Sequence, residues 1–113
     1  MKYIAAIIQP DRLDYVLDLL EKKDIHLVTV SSVMGRGRQK GNAAVYRGHQ
    51  EVGSLLRKVK IEIIVNNEFV KPAIEAITEG ARTGQIGDGK ILVTSIEQCI
   101  RIRTGETGPA AIG

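Results

Sequence analysis

A strand–helix–strand pattern occurs twice in succession along this chain, and that repetition narrows the fold more than any single residue does. Lys2 to Ile8 is a short Ile-rich run closed by Gln9-Pro10 and reads as a strand. Asp11 is placed to cap a helix in which Leu13, Val16, Leu17 and Leu20 recur at helical spacing, with Asp14, Asp18, Glu21 and Lys22 left for solvent. Leu27 to Met34 predicts a second strand, ended by Gly35. In the second unit Val59, Ile61, Ile63 and Val65 alternate with Lys58, Lys60 and Glu62. A helix carrying Val70, Ala73, Ile74 and Ile77 follows, with Asn67 as its expected cap. Pro72 has no N–H to give and is harmless only in a first turn, so this helix is expected to start late or with a distorted turn. Gly84, Gly87 and Gly89 then break the chain before a strand over 91–96.

Two tandem βαβ units predict an α+β domain of ferredoxin-like, split-βαβ type, with an antiparallel sheet and both helices on one face. The first strand is apolar on both sides, with Ile4, Ala6 and Ile8 on one and Tyr3, Ala5 and Ile7 on the other. Two helices cover one side, so the other needs a second cover: another copy of the chain, or the C-terminal segment folded over it. At 113 residues the chain holds one domain, 1–113, and a domain this small gains from burial by self-association.

Composition excludes several classes. A net charge of +3 is weak for a dedicated nucleic-acid binder. Cys99 is the single cysteine, which rules out an internal disulfide and a cysteine-based metal site. No leader-like segment precedes the first strand and no apolar stretch has the length to span a bilayer, so a cytoplasmic protein is expected.

Three glycine- and cation-bearing segments interrupt the pattern. Gly35-Arg36-Gly37-Arg38-Gln39-Lys40-Gly41 leaves the second strand, where glycines let backbone N–H groups approach an anion. Its spacing is not the dinucleotide fingerprint, and a basic loop start is the simpler reading of it alone. Gly84 to Lys90 matches the G-x-x-x-x-G-K half of a P-loop, but Ile91 replaces the Ser/Thr that would hold magnesium. A helix precedes this loop rather than follows it, so a partly negative helix end faces the glycines and a P-loop NTPase is excluded. Anion binding and a tight structural turn both remain readings. In Arg101-Ile102-Arg103-Thr104-Gly105, alternation puts both guanidinium groups on one face of an expected strand. That arrangement reads as a guard against unwanted edge pairing or as an anion clamp. Together Arg38, Lys58, Lys90, Arg101 and Arg103 would surround one triphosphate. The aperiodic stretch from Gly41 to Leu55, with Tyr46-Arg47-Gly48-His49-Gln50, is long enough to be a functional or switching loop.

Catalytic signals are sparse. His26 and His49 lack a spaced partner, and Cys99 lies among apolar residues, so no enzyme is indicated. A basic RNA- or DNA-binding module using Arg36, Arg38, Lys40 and Arg47 is the alternative, but the aromatic stacking signature on the central strands is missing.

GRGRQKG at 35–41, Tyr46-Arg47-Gly48, KVKIEI at 58–63, ARTGQIGDGK at 81–90 and IRIRTGE at 100–106 together resemble the PII signal-transduction family nearly end to end. The resemblance implies a cytoplasmic homotrimer in which ATP and ADP compete for clefts between subunits, and 2-oxoglutarate binds beside ATP and Mg2+. It places Thr29 and Ile64 near the adenine, and Gly37, Arg38, Gly87, Asp88, Gly89, Lys90, Arg101 and Arg103 around the nucleotide. Gln39 would ligate the metal, and Gln39, Lys40, Gly41, Lys58, Ile86 and Gly87 would surround 2-oxoglutarate, with Lys58 pairing its carboxylate. Residues 35–57 would form the family's T-loop, 82–90 a phosphate-binding loop, and 100–113 a C-terminal segment. Through Tyr46, Arg47 and Glu51 the T-loop would dock an ammonium channel or a nitrogen-metabolism enzyme, touching a membrane only through such a channel. Glu51 stands where many members carry a uridylylated tyrosine and His49 where others carry a phosphorylated serine, so neither modification is expected. Tyr46 is a substitute acceptor or a structural ring, and Val52-Gly53-Ser54 departs from the family's usual apolar-acidic run.

Overall fold

Alternating apolar residues settle which side of the sheet is dry. The computed structural model describes residues 1–37 and 55–113. Its strands are β1 (Lys2–Ile8), β2 (Thr29–Gly35), β3 (Leu56–Val65) and β4 (Lys90–Ser95), and its helices α1 (Leu13–Lys22) and α2 (Val70–Ala81). The strands form one sheet in the order β2-β3-β1-β4, and each neighbouring pair is antiparallel. Ile4, Ala6 and Ile8 of β1 and Val59, Ile61, Ile63 and Val65 of β3 are buried against Val16 and Leu20 of α1 and Ala73, Ala76 and Ile77 of α2. This is the double-βαβ, two-layer arrangement that the repeat predicts.

The helix starts differ from expectation. Asp11 makes no capping bond; Gln9 occupies the cap position and Pro10 opens a 3-10 turn over Pro10–Arg12. Proline's fixed φ favours that tight turn, and Arg12 N–H donates to the Gln9 carbonyl at 3.0 Å. Asn67 is likewise no cap: it begins a 3-10 turn, Asn67–Phe69, and its Oδ1 accepts from the Met1 amino group at 2.9 Å. That turn leaves Pro72 in the first turn of α2, where its missing N–H costs nothing. The helices approach closely because Gly80 lacks a side chain; a Cβ there would lie 2.8 Å from the Val16 Cα.

The outer sheet face carries Tyr3, Ala5 and Ile7, flanked by Lys58, Lys60, Glu62 and Ile64 on β3 and Leu92 on β4. Tyr3 donates its hydroxyl to Glu62 there. The C-terminal segment does not cover this face. It closes on itself through an Ile100–Thr107 bridge and docks at the sheet's end, where Asn66 Nδ2 donates to the Pro109 carbonyl at 3.3 Å. Ile64 and Leu92 stay 42% and 53% exposed.

Candidate functional site

Four strand ends meet at one margin of the sheet: the ends of β1 and β2 and the starts of β3 and β4. Beside them a cleft of about 520 Å³ is lined by Ile7, Gly35, Arg36, Gly37 and Lys58 on one side. The 85–90 stretch, from Gln85 through Ile86, Gly87, Asp88 and Gly89 to Lys90, forms the other. Lys58 is only 8% exposed and its Nζ donates to the Gly87 carbonyl at 3.4 Å. Burial pulls its pKa below the ordinary lysine value, against the opposing charge of Asp88. A cation held out of water in a concave site is a strong recogniser of a carboxylate or phosphate.

The 82–89 loop is fixed from within. The Asp88 carboxylate accepts from the Thr83 hydroxyl, from Thr83 N–H at 2.9 Å and from Gly84 N–H at 2.8 Å. The Thr83 hydroxyl bond, then the Thr83 and Gly84 amides, hold its pKa below the ordinary aspartate value, with a contribution from Arg12. Thr83 Oγ1 in turn accepts from Gln85 N–H at 3.2 Å. Gly89 has a φ of +102°, and a Cβ there would stand 1.7 Å from the Ile7 carbonyl oxygen. The loop backbone thus lies directly against β1, which only glycine allows.

One chain gathers only part of the expected site. Gly37, Lys58, Ile86, Gly87, Asp88, Gly89 and Lys90 share the cleft. Asp88 turns its carboxylate into its own loop, an arrangement the sequence reading missed; Thr83 and Asp88 flanking a glycine turn was the available signal. Ile7 also lines the cleft without having been singled out for it, and Gly35 and Arg36 join it from the glycine-rich segment read as able to approach an anion. Thr29 and Ile64 are on the outer face toward the opposite sheet margin. Ile64 lies six positions beyond Lys58 along β3, about 20 Å at strand rise.

The Arg101–Arg103 strand is corrected. These residues form a turn in which Gly105 N–H returns to the Arg101 carbonyl at 2.7 Å and Gly105 has a φ of +77°. Arg101 pairs with Glu106 at 2.8 Å and donates to the Ala110 carbonyl at 3.3 Å, while Ile102 is 99% exposed. Alternation misled because Glu106 and Gly105 close the chain into a turn before a strand can extend. Neither arginine lines the cleft, so the five-cation cluster is not assembled within one chain. Arg38, Gln39, Lys40, Gly41, Tyr46, Arg47, His49 and Glu51 fall outside the described residues.

Away from the cleft, the exposed His26 sits 2.8 Å from Glu21 and 3.9 Å from Asp24, a surface contact that becomes an ion pair when the imidazole is protonated. Among the described residues, no group of three or more His, Cys, Asp or Glu is placed to hold a metal ion, and no helix is long and apolar enough to cross a membrane.

With this geometry in view, comparison with known proteins gives a consistent result. The family model described as nitrogen regulatory protein P-II matches residues 1–106. The chain is 53% identical over 114 residues to the nitrogen regulatory protein GlnK1 of Methanosarcina mazei, covering 99% of this chain and 97% of that one. It is 54% identical over 112 residues to the nitrogen regulatory protein P-II of Rhodobacter capsulatus, covering 99% and 100%. Among solved structures, Arabidopsis thaliana PII bound to citrate superposes with a TM-score of 0.80 at 40% identity, over 98% of this chain and 88% of that chain.

Proposed function

The chain belongs to the nitrogen regulatory protein P-II family, whose members are named as regulators rather than enzymes, and from that premise we propose that it senses ATP, ADP and 2-oxoglutarate. The observation that carries the proposal is the cleft itself. It combines a nearly buried Lys58, a second cation in Lys90, a rigid glycine loop and the apolar Ile7 and Ile86. Such a lining suits a polyphosphate with an adjoining dicarboxylate better than a purely apolar ligand.

In this reading the backbone of Gly37, Gly87 and Gly89 and the Lys90 ammonium hold phosphate oxygens. Lys58 holds a carboxylate of 2-oxoglutarate, close to Ile86 and Gly87. That a PII relative is described as bound to citrate supports small carboxylates as ligands of such a fold. Magnesium would neutralise phosphate charge; its proposed ligand, Gln39, lies outside the described residues. Arg38, Lys40 and Gly41 complete the proposed binding set from the same segment.

Thr29, Ile64, Arg101 and Arg103 are remote from the cleft lining and belong, on this proposal, to the half-site that another copy supplies. The exposed Ile64 and Leu92 on the outer face give a second reason for assembly, since apolar sheet surface favours a protein cover. A cyclic trimer uses both half-sites of every copy and leaves none idle. Ligand-dependent shape in the 35–57 segment, with Tyr46, Arg47 and Glu51, would then set affinity for an ammonium channel or a nitrogen-metabolism enzyme in the cytoplasm. The nucleic-acid reading gains no support from the outer face, where the Tyr3 hydroxyl is engaged by Glu62.

Calorimetric titration with ATP and Mg2+, with and without 2-oxoglutarate, tests the proposal. ATP binding strengthened by 2-oxoglutarate, and a Lys58→Met variant that keeps ATP but loses this effect, are expected. ATP binding indifferent to 2-oxoglutarate removes the nitrogen-sensing role, and no nucleotide binding removes the reading altogether.

A further inference from the structure

A glycine loop that follows a helix has a difficulty with anions. The last turn of α2 carries about half a negative charge in its unpaired carbonyls, directly behind the loop. Asp88 adds a carboxylate. In a continued helix, Thr83 and Gly84 N–H would serve the Glu79 and Gly80 carbonyls; here both donate to Asp88 instead, at 2.9 and 2.8 Å. Gly80 is thereby left without its helical donor.

Arg12 fills that place. From the 3-10 turn ahead of α1 its Nε donates to the Gly80 carbonyl at 2.8 Å, across 68 positions of sequence. The Tyr15 ring lies 4.2 Å from its guanidinium and holds it in position. The close approach of α1 to α2 at Gly80 and Val16 keeps this donor and acceptor in register. Arg12 does not line the cleft, so it acts on a bound anion only through the helix end and the loop.

We infer that Arg12 is a positioning residue for the phosphate site: it caps the C-terminus of α2 and offsets the negative pole behind the 82–89 loop, so that a polyphosphate is tolerated there. The inference rests on the nucleotide reading above. Arg12 also lowers the Asp88 pKa, in keeping with a field that reaches the loop.

The test separates charge from hydrogen bonding. Arg12→Gln keeps a donor and deletes the charge; Arg12→Lys keeps the charge and loses the planar fork. Both are titrated calorimetrically with ATP, ADP and AMP at low and high salt. Arg12→Gln is expected to weaken ATP binding roughly threefold to tenfold, ADP less and AMP least, with the loss shrinking at high salt. Arg12→Lys is expected to retain most of the affinity. Equal losses for all three nucleotides indicate a merely structural role and overturn the inference, as does unchanged ATP binding. If the parent protein binds none of the three, the nucleotide reading fails and the phosphate-site role of Arg12 falls with it. If it does bind them, NMR titration of the Asp88 carboxyl in free protein reads the Arg12 field separately: a higher Asp88 pKa in Arg12→Gln shows that the charge reaches the loop, as the inference requires, and an unchanged one overturns the inference.

Discussion

Alanine at position 89 perturbs the point where the glycine loop rests on the sheet. Two costs add there. The φ of +102° lies where L side chains are disfavoured, at roughly 1–2 kcal/mol. The new methyl would also stand 1.7 Å from the Ile7 carbonyl oxygen, and that contact is backbone, which no rotamer change relieves. Forced separation of this kind costs about 1–3 kcal/mol, so the total is about 2–5 kcal/mol. With an unfolding entropy of about 2.1 cal/mol/K per residue, a chain of 113 residues loses about 8–20 °C in Tm. Gly84→Ala is the matched control: its φ is +88°, but nothing lies within 4 Å of the added Cβ, so only the backbone cost applies, about 4–8 °C. Circular dichroism melts of both variants, at one protomer concentration because assembly would shift Tm, measure the difference. Melting of the two variants at the same temperature refutes the steric argument.

Three further outcomes are expected. Thr83→Val removes the hydroxyl that Asp88 accepts from, so the Asp88 pKa rises toward its ordinary value. Because the folded-state pKa is depressed, the Asp88 contribution is present above about pH 4 and lost as pH falls through the folded value, and NMR should show that window narrowing in the variant. His26 titrates above its ordinary value because of its hydrogen bond to Glu21; its contribution is complete below about pH 6.5 and lost as pH rises through the folded value. Glu21→Gln is expected to bring the His26 NMR titration back down. Ile61→Ala empties a fully buried position at the centre of the core and should cost about 2–5 kcal/mol, seen as a lower urea midpoint with an unchanged slope.

The fold was legible because its signals are local and periodic. Val59, Ile61, Ile63 and Val65 alternate without interruption, and all four are buried on the helix side of β3. Leu20 and Val16 recur at helical spacing and fill the same core. Caps were less legible: Asp11 and Asn67 are good capping residues, yet Pro10 and the residues after Asn66 form 3-10 turns that displace the helix start. Period-two reading failed at Arg101–Arg103, where a turn closed by Gly105 and Glu106 overrides side-chain alternation. The cleft was partly legible in its glycines and lysines. The Arg12–Gly80 bond was not, because no short-range pattern announces a contact between residues 68 positions apart.

The pairing of Gly35 with Leu56 has a consequence for how such proteins diversify. The chain leaves the sheet and re-enters it at facing positions of one hairpin, whatever lies between. For flexible loops in general, doubling the length adds only about 0.6 kcal/mol of closure entropy. Sequence and length between these two anchors can therefore drift, or be redesigned, with little consequence for the core. On the proposed function, a new partner specificity grafted beyond Gly41 would keep Arg36, Gly37 and the rest of the cleft at its base, so evolution could exchange the audience of the signal while keeping the receiver.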